Sequence, residues 1–197
     1  MYQTVRGATI TPATIAQGTT FTSRFTPTGA AIPKLQDSGS FGDATVSSSA
    51  RMAAVIPIPT GMTFVSARVL GGDALTSGVA TVTYCTTFGA KPCHAKPATG
   101  NYIYNSTPYL VVAMPDAAAS VPGGGQVSMP NVEITMTATG AVGTVAQWKV
   151  SEFMTRISAN LILAITLDFD GYPTDDSNKT ITPPLVQPAI IATNTIT

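Results

Sequence analysis

The sequence predicts an all-β chain built as a two-sheet sandwich, and three observations lead to this prediction. Apolar and polar residues alternate along many short segments, which is the period of a half-buried strand. Glycine and proline, at 17 and 15 of 197 residues, separate these segments at the spacing of turns. No segment has the period of a long helix. We expect about nine or ten strands, long loops and an extended C-terminal tail.

The expected strands follow from this alternation. They lie near residues 8–10, 20–25, 51–58, 62–70, 79–85, 109–114, 126–138, 145–153, 157–169 and 190–196. The longest is 157–169, where every second residue from Ile157 to Phe169 is apolar. The segments "SGSFGDATVSSSA", "LGGDALTSG" and "VPGGGQ" are polar and glycine-rich, which favours turns or surface loops.

The chain length fits one large β domain, with no internal repeat. We assign residues 1–180 to a single sandwich domain and residues 181–197 to a proline-rich tail that ends in a strand. Pro183, Pro184 and Pro188 make an extended spacer, and "AIIATNTI" has strand chemistry. This terminal strand either pairs within its own domain or adds to the sheet of a neighbouring subunit, and both alternatives stay open.

The charge content excludes several classes of protein. Lysine plus arginine and aspartate plus glutamate number ten each, so charged residues are 10% of the chain, against roughly 25% in an ordinary soluble domain. A chain without a basic excess has no electrostatic footprint for nucleic acid.

No run approaches the ~18 apolar residues of a membrane helix, so we expect no transmembrane segment. Abundant threonine is typical of strands whose outer face carries hydroxyls, as on extracellular β proteins.

Both cysteines and the only histidine lie in one stretch, at Cys85, Cys93 and His94. A disulfide, two free thiols and a metal site are the alternatives. A structural zinc site needs four ligands, and these three residues have no second histidine or further cysteine to complete it. The disulfide Cys85–Cys93 is therefore favoured, as a staple on a loop that stabilises the fold by ~2–3 kcal/mol. His94 is then an exposed loop residue.

An acidic cluster follows the longest predicted strand. Asp168, Asp170, Asp175 and Asp176 crowd together with Asn178, and calcium prefers several oxygen ligands on a flexible loop. The spacing departs from the twelve-residue helical-hand loop, and acidic residues at a strand end also form ordinary turns, which is the favoured interpretation. Asp168 and Asp170 as a hydrolase pair is a third alternative, although such pairs normally flank a cleft from separate elements. The cofactor prediction is accordingly none, with calcium as the alternative.

Aromatic residues suggest one binding surface. Tyr102, Tyr104 and Tyr109 follow the cysteine stretch, where they either form a binding surface or pack under their own loop. Trp148 has apolar neighbours on its side of a strand and is most simply a core residue. Enzyme signatures are missing, because there is one histidine, no nucleophile-elbow motif and no phosphate-binding glycine loop. We predict that the protein is not an enzyme.

Three stretches resemble a known family. "ATITPATIAQGTTFTSRFT", "VIPIPTGMTFVSARVLGG" and "VPGGGQVSMPNVEITMTATGAVGT" are similar to the conserved immunoglobulin-like repeat domains of secreted surface proteins of bacteria, of the actinobacterial type. The matching positions, within a resemblance that covers Gly7 to Phe169, are Pro12, Gly18, Pro59, Gly61, Thr63, Phe64, Val65, Ser66, Ala67, Pro122, Gly123 and Gly124. The resemblance implies an immunoglobulin-like sandwich displayed at a cell surface, and it brings no catalytic residues. The chain departs from the family by a cysteine-bearing insertion and the proline-rich tail.

The expected function is therefore a non-enzymatic secreted or cell-surface protein with a structural or adhesive role. Its expected partners are other protein subunits, including further copies of itself, and components of the cell envelope. The alternative is a structural subunit of a fibre or viral particle, a decoration or assembly protein that uses terminal strand exchange. A hydrolase or ligand binder that uses the acidic loop is the third hypothesis. The first residues lack the features of a secretory signal, so a signal was removed or the chain is exported another way.

Overall fold

The computed structural model describes residues 12–25, 30–32, 34–37, 42–71, 80–87, 93, 108–114, 121–127, 130–149, 152–160, 164–171 and 190–197. Across these ranges the regular structure is β throughout, without a helix, so the predicted fold class is confirmed at the level of all-β. It follows that no described helix has the length and apolar character needed to cross a bilayer.

Fifteen strands occur in the described ranges, more than the nine or ten expected. In chain order they are β1 Thr14–Ile15, β2 Thr20–Phe25, β3 Ala30–Ala31, β4 Leu35–Asp37, β5 Asp43–Pro57, β6 Met62–Gly71, β7 Thr81–Cys85, β8 Tyr109–Ala113, β9 Val121–Pro122, β10 Gln126–Val127, β11 Asn131–Ala138, β12 Val145–Lys149, β13 Glu152–Asn160, β14 Ala164–Gly171 and β15 Ile190–Ile196. The excess comes from several two- or three-residue strands that flank the long ones.

The described strands form four sheets, and none of them closes on itself. The order β2-β11-β6 makes an antiparallel sheet. A second sheet has the order β1-β15-β12, in which β1 and β15 run parallel. The largest has the order β14-β13-β5-β8-β7, with β4 and β9 also paired to β5, and β10 pairs with β3 in a small ribbon. The last strand of the chain therefore lies between two others and is not at an edge.

One hydrophobic core connects the three larger sheets, because alternate residues of their strands point inward. In β2 and β11 the alternation of exposed and buried residues is strict. Fully or almost fully buried members of this core include Phe25 and Ile134, Trp148 and Ile196, and Ile56 and Leu110, a pair from each larger sheet in turn. Burying one such side chain stabilises the fold by roughly 1.5–3 kcal/mol.

The prediction of one long strand over 157–169 is wrong. β13 ends at Asn160 and β14 begins at Ala164, and these two residues are antiparallel partners, so the chain reverses between them. Apolar residues alternate on both sides of the reversal, and no glycine or proline marks it. A period of two alone does not locate a turn of that composition.

Three further predicted boundaries are wrong. The predicted strand 145–153 runs from β12, which ends at Lys149, into β13, which begins at Glu152 in another sheet. β5 begins at Asp43, inside a segment predicted to be a loop, because Ala44 and Val46 are buried and alternate with exposed polar residues. The predicted strand 126–138 is two strands, β10 and β11. The turn predicted in "VPGGGQ" is present, since the Gly125 N–H donates to the Pro122 carbonyl at 2.9 Å. The strand predicted at 8–10 lies outside the described residues.

A buried asparagine ties the terminal strand into the fold. Asn194 of β15 is 0% exposed, and its Oδ1 accepts a hydrogen bond from Trp148 Nε1 of β12 at 2.5 Å. Its Nδ2 donates to the carbonyl oxygen of Pro12, just before β1. Next to this side chain, the Thr195 N–H donates to the Ala13 carbonyl at 2.9 Å, just before β1. One side chain thus connects three segments of the sheet.

A glycine turn packs against the end of the same strand. Gly61 has a φ of 79°, and a Cβ built on it would lie 3.0 Å from Thr144 Cγ2 and 3.3 Å from Ile196 Cδ1. Its carbonyl accepts hydrogen bonds from the N–H groups of Thr139 and Gly140 at 2.8 and 2.9 Å. Glycine is needed here both for its backbone conformation and for the close approach.

We expect Asn194→Ala to lower the free energy of unfolding by about 2–4 kcal/mol, because it leaves the buried Trp148 N–H and the Pro12 carbonyl without their partner. Urea unfolding followed by fluorescence measures this directly, since Trp148 is the only tryptophan. Asn160→Ala, at an exposed position of β13, is the matched control and should change stability by less than ~0.5 kcal/mol. Equal losses in the two variants would contradict the assigned role of Asn194.

We expect Gly61→Ala to destabilise the protein by about 1–3 kcal/mol more than Gly18→Ala. Both glycines have positive φ, at 79° and 78°, so both substitutions strain the backbone. A Cβ at Gly18 meets nothing within 4 Å, whereas one at Gly61 collides with Thr144 and Ile196. The difference between the two urea midpoints therefore isolates the packing contribution, and identical midpoints would show that the turn does not press on β15.

Candidate functional site

The two cysteines lie at disulfide distance. Cys85 is the last residue of β7, and its sulfur is 2.02 Å from that of Cys93, with Cα atoms 5.8 Å apart. Neither cysteine is a free thiol. Of the three alternatives for this stretch, the structure therefore has the disulfide, closed across a short loop. His94 lies outside the described residues.

The disulfide sits on the outer face of the largest sheet. A second apolar cluster lies on that face, away from the main core, and Cys93 packs against it. Its buried members are Ala53 and Val55 of β5, Cys85 of β7, and Tyr109 and Val111 of β8. Because Leu110 and Val112 of β8 face the main core, this strand is buried on both sides and its sequence "YLVVA" is a continuous apolar run. The disulfide therefore fixes Cys93 over an apolar surface.

The predicted tyrosine surface is resolved for one residue. Tyr109 is 1% exposed and lies in the cluster beneath Cys93, with its hydroxyl 3.5 Å from the Thr87 carbonyl oxygen. Its ring is therefore buried among Cys85, Cys93 and the strands of the sheet. Tyr102 and Tyr104 lie outside the described residues, and their binding role stays a prediction.

Only two of the four predicted acidic residues lie within the described ranges. Asp168 and Asp170 occupy positions of β14 opposite Arg156 and Met154 of β13. Asp175 and Asp176 lie outside the described residues. Within the described ranges, no three or more histidine, cysteine, aspartate or glutamate residues are grouped so as to hold a metal ion. Two carboxylates supply fewer ligands than the six to eight oxygens that calcium takes, so the calcium site depends on the other two aspartates and stays a prediction.

The most distinctive polar surface consists of paired threonines, none of which was predicted as a site residue. On the outer side of the β2-β11-β6 sheet, threonines pair across the strands through their hydroxyls. The Oγ1–Oγ1 distances are 2.9 Å for Thr20 with Thr137, 3.1 Å for Thr22 with Thr135, and 3.1 Å for Thr63 with Thr139. We call these six residues the hydroxyl face. The signal was present as the "TFT" of β2 and the "TMT" of β11.

Charge is confined to one end of this sheet. Arg68 of β6 donates from Nε to Glu133 Oε1 of β11 at 2.7 Å, and the two side chains are 70% and 28% exposed. The hydrogen bond to Glu133, followed by the charge of that carboxylate, raises the pKa of Arg68. Arg24 of β2 is also exposed and is the register partner of Glu133, so this end of the sheet carries two positive charges and one negative, while the six threonines of the hydroxyl face are uncharged.

Pairing of hydroxyls has a chemical consequence. Each threonine oxygen has one proton and two lone pairs, so a hydroxyl that bonds to its neighbour still has capacity for water or another polar surface. Cross-strand threonine pairs contribute roughly 0.2–1 kcal/mol each to a sheet. The hydroxyl face is thus ordered without a buried charge, and it lacks the nucleophile–base geometry of an active site among its own residues.

No family model matches the chain, and no curated protein matches it significantly. The residues behind the resemblance to immunoglobulin-like repeats occupy turns, the segment before β1, the first half of β6 and the end of β9. Gly18 and Gly124 have positive φ, and the Met62 N–H donates to the Pro59 carbonyl at 3.1 Å to close the Pro59–Gly61 turn. The site is therefore interpreted from the geometry of this chain.

We expect Cys93→Ala to lower the free energy of unfolding by ~2–3 kcal/mol, because the unfolded chain loses the constraint of the short loop. Cys93 is chosen because Cys85 is buried and its thiol still fills its place as a small apolar group. Urea unfolding with and without a thiol reductant provides the measurement.

The reductant should lower the urea midpoint of the unmodified protein to that of the variant and leave the variant unchanged. A reductant effect of equal size on the Cys85→Ala/Cys93→Ala double variant would contradict a contribution from the disulfide.

Proposed function

We propose that this protein is a non-enzymatic structural or adhesive β-sandwich, secreted or displayed at a cell surface. The hydroxyl face is the observation that carries the proposal. It offers an extended polar surface whose hydroxyls bond to each other across the strands, with charge limited to Arg24, Arg68 and Glu133 at one end of the sheet. Such a face suits contact with other neutral polar surfaces, because little charge has to be desolvated on contact.

The order of the strands supports an immunoglobulin-like sandwich as the finer description. In that fold one sheet contains strands B, E and D, and the other contains C, F and G. The order β2-β11-β6 fits the first, and β5-β13-β14 fits the second, with the same sequence of strands along the chain. β7 and β8 lie between the strands that correspond to D and E, so the cysteine-bearing insertion expected from the sequence falls at this point.

The disulfide supports an oxidising compartment. Disulfides persist in secreted and surface proteins and are rare in the reducing cytosol. The bond Cys85–Cys93 holds Cys93 against an apolar patch, which is a stabilising role and needs no redox chemistry. Together with the low charge, this supports export to the cell exterior.

A second candidate is a structural subunit of a fibre or viral particle. The position of β15, which is inserted between two strands that are distant from it in sequence or belong to the other end of the described chain, β12 and β1, favours this candidate. A chain end that completes a sheet is one of the ways in which subunits of such assemblies are joined. In both candidates the partners are other protein subunits.

We expect the protein in its native source to carry the Cys85–Cys93 disulfide and to be labelled by antibodies on intact cells or on released particles. The disulfide is measured by denaturing the sample and adding a thiol-reactive mass tag before or after reduction. Two tags per chain should attach only after reduction.

Immunogold electron microscopy shows where the antibodies bind and so distinguishes the surface protein from the assembly subunit. Label over the cell envelope supports the surface protein, and label in regular rows on fibres or particles supports the assembly subunit. Free thiols together with label confined to the cell interior would overturn both.

A further inference from the structure

The terminal strand β15 occupies a cleft whose walls are distant in sequence. On one side its backbone bonds to residues 13–17, as in the 2.8 Å bond from the Thr197 N–H to the Ile15 carbonyl. On the other side it pairs with β12 from Val145 to Lys149. The Ile196 side chain approaches Gly61 and Gly140 at the end of the cleft. We call this the β15 cleft, and all its described partners precede residue 150.

The connection that leads into β15 is longer than its end points require. β14 ends at Gly171, opposite Phe153, and β15 starts at Ile190, opposite Lys149. Lys149 and Phe153 are four residues apart in the sequence, so their Cα atoms lie no more than about 14 Å apart. Residues 172–189, which join them, reach up to ~60 Å at roughly 3.3 Å per residue. By contrast, β13 and β14 are joined by residues 161–163 alone.

We propose that the β15 cleft also accepts β15 from a second copy of the chain, so that copies are joined by exchange of their terminal strands. This inference rests on the proposed structural function. The strand makes the same contacts in either copy, so the closed and exchanged forms differ only in the path of the connection and in the entropy of association. The closed form dominates in dilute solution, and exchange increases as copies approach the millimolar effective concentration of the tethered strand.

The cleft selects this strand over a peptide of general apolar composition. Asn194 must stand between Trp148 and the Pro12 carbonyl, and Ile196 must meet the two glycines. A shift of one residue would present Thr193 or Thr195 to Trp148 and turn the apolar positions outward. The occupant in an assembly is therefore an identical strand.

The test uses one cysteine in each of two full-length chains. Gln147 of β12 and Thr193 of β15 are register partners and both are exposed. A Gln147→Cys chain and a Thr193→Cys chain are co-expressed, concentrated and mildly oxidised. Exchange predicts a covalent dimer of twice the mass, with the introduced thiols joined to each other in peptide maps and a yield that rises with protein concentration.

Two controls complete the design. A chain carrying both substitutions should form the same bond within one monomer when dilute, which verifies the register. Thr193→Cys paired with Thr63→Cys, on the hydroxyl face of the other sheet, measures random collision. Val145→Cys with Thr195→Cys, a second register pair, replaces the first pair if its chains fold poorly.

Exchange is overturned if the doubly substituted chain closes while the mixed chains never exceed the collision control at any concentration. The proposed structural function survives that result if the native protein is found in an envelope layer or particle. Conversely, crosslinked dimers from a protein confined to the cell interior would support exchange and reject the surface role.

Discussion

The fold depends on one buried side-chain amide. Asn194 bonds to Trp148 on one neighbouring strand and to Pro12 beside the other, which brings both ends of the described chain together around the core. A buried polar network of this kind is stabilising only when every member has its partner, so it accepts one register and penalises the rest. The remaining contacts of β15 are backbone bonds and apolar packing, which alone would tolerate a slip by two residues. The amide therefore determines where the last strand lies, and the last strand completes the core.

The other features of the molecule fit around that constraint. At positions 61 and 140 only glycine lets the turns approach Ile196 so closely, because it has no Cβ. At the largest sheet, the disulfide holds Cys93 over a face that would otherwise expose Val55, Val111 and the ring of Tyr109. Phe64 of β6 and Tyr84 of β7 stack with ring centroids 4.2 Å apart, and so join the edges of two sheets. Each of these contacts stabilises packing between neighbouring parts of the fold. None of them involves the hydroxyl face on the outer side of the β2-β11-β6 sheet.

Much of this was predictable from local pattern, and the failures have physical causes. β2, β6, β8 and the terminal strand were predicted to within one or two residues, because alternation and flanking turns mark them clearly. The disulfide followed from counting, since two cysteines and one histidine leave little else. The hairpin after Asn160 was missed because its turn has no glycine or proline, and the start of β5 because its inward residues are small. Asn194 was visible as a polar residue on the inward side of "AIIATNTI", but only the fold shows which partners satisfy it. The pairing of the threonines likewise depends on which strands become neighbours.

The charge pattern links the scaffold to its proposed role. A formal net charge of zero gives copies of this chain no long-range repulsion, which is the condition under which proteins associate most readily. Surfaces in that condition associate through apolar patches, and the outer side of the β2-β11-β6 sheet interrupts its exposed apolar residues, Val65 and Leu70, with hydroxyls that are ordered by pairing. Association of such surfaces is weak and reversible, because each contact exchanges hydrogen bonds with water for similar ones with a neighbour. The hydroxyl face carries little charge and lets copies crowd, and β15 is joined to the rest of the fold by a long connection. In this arrangement, crowding itself converts weak contact into linkage by strand exchange.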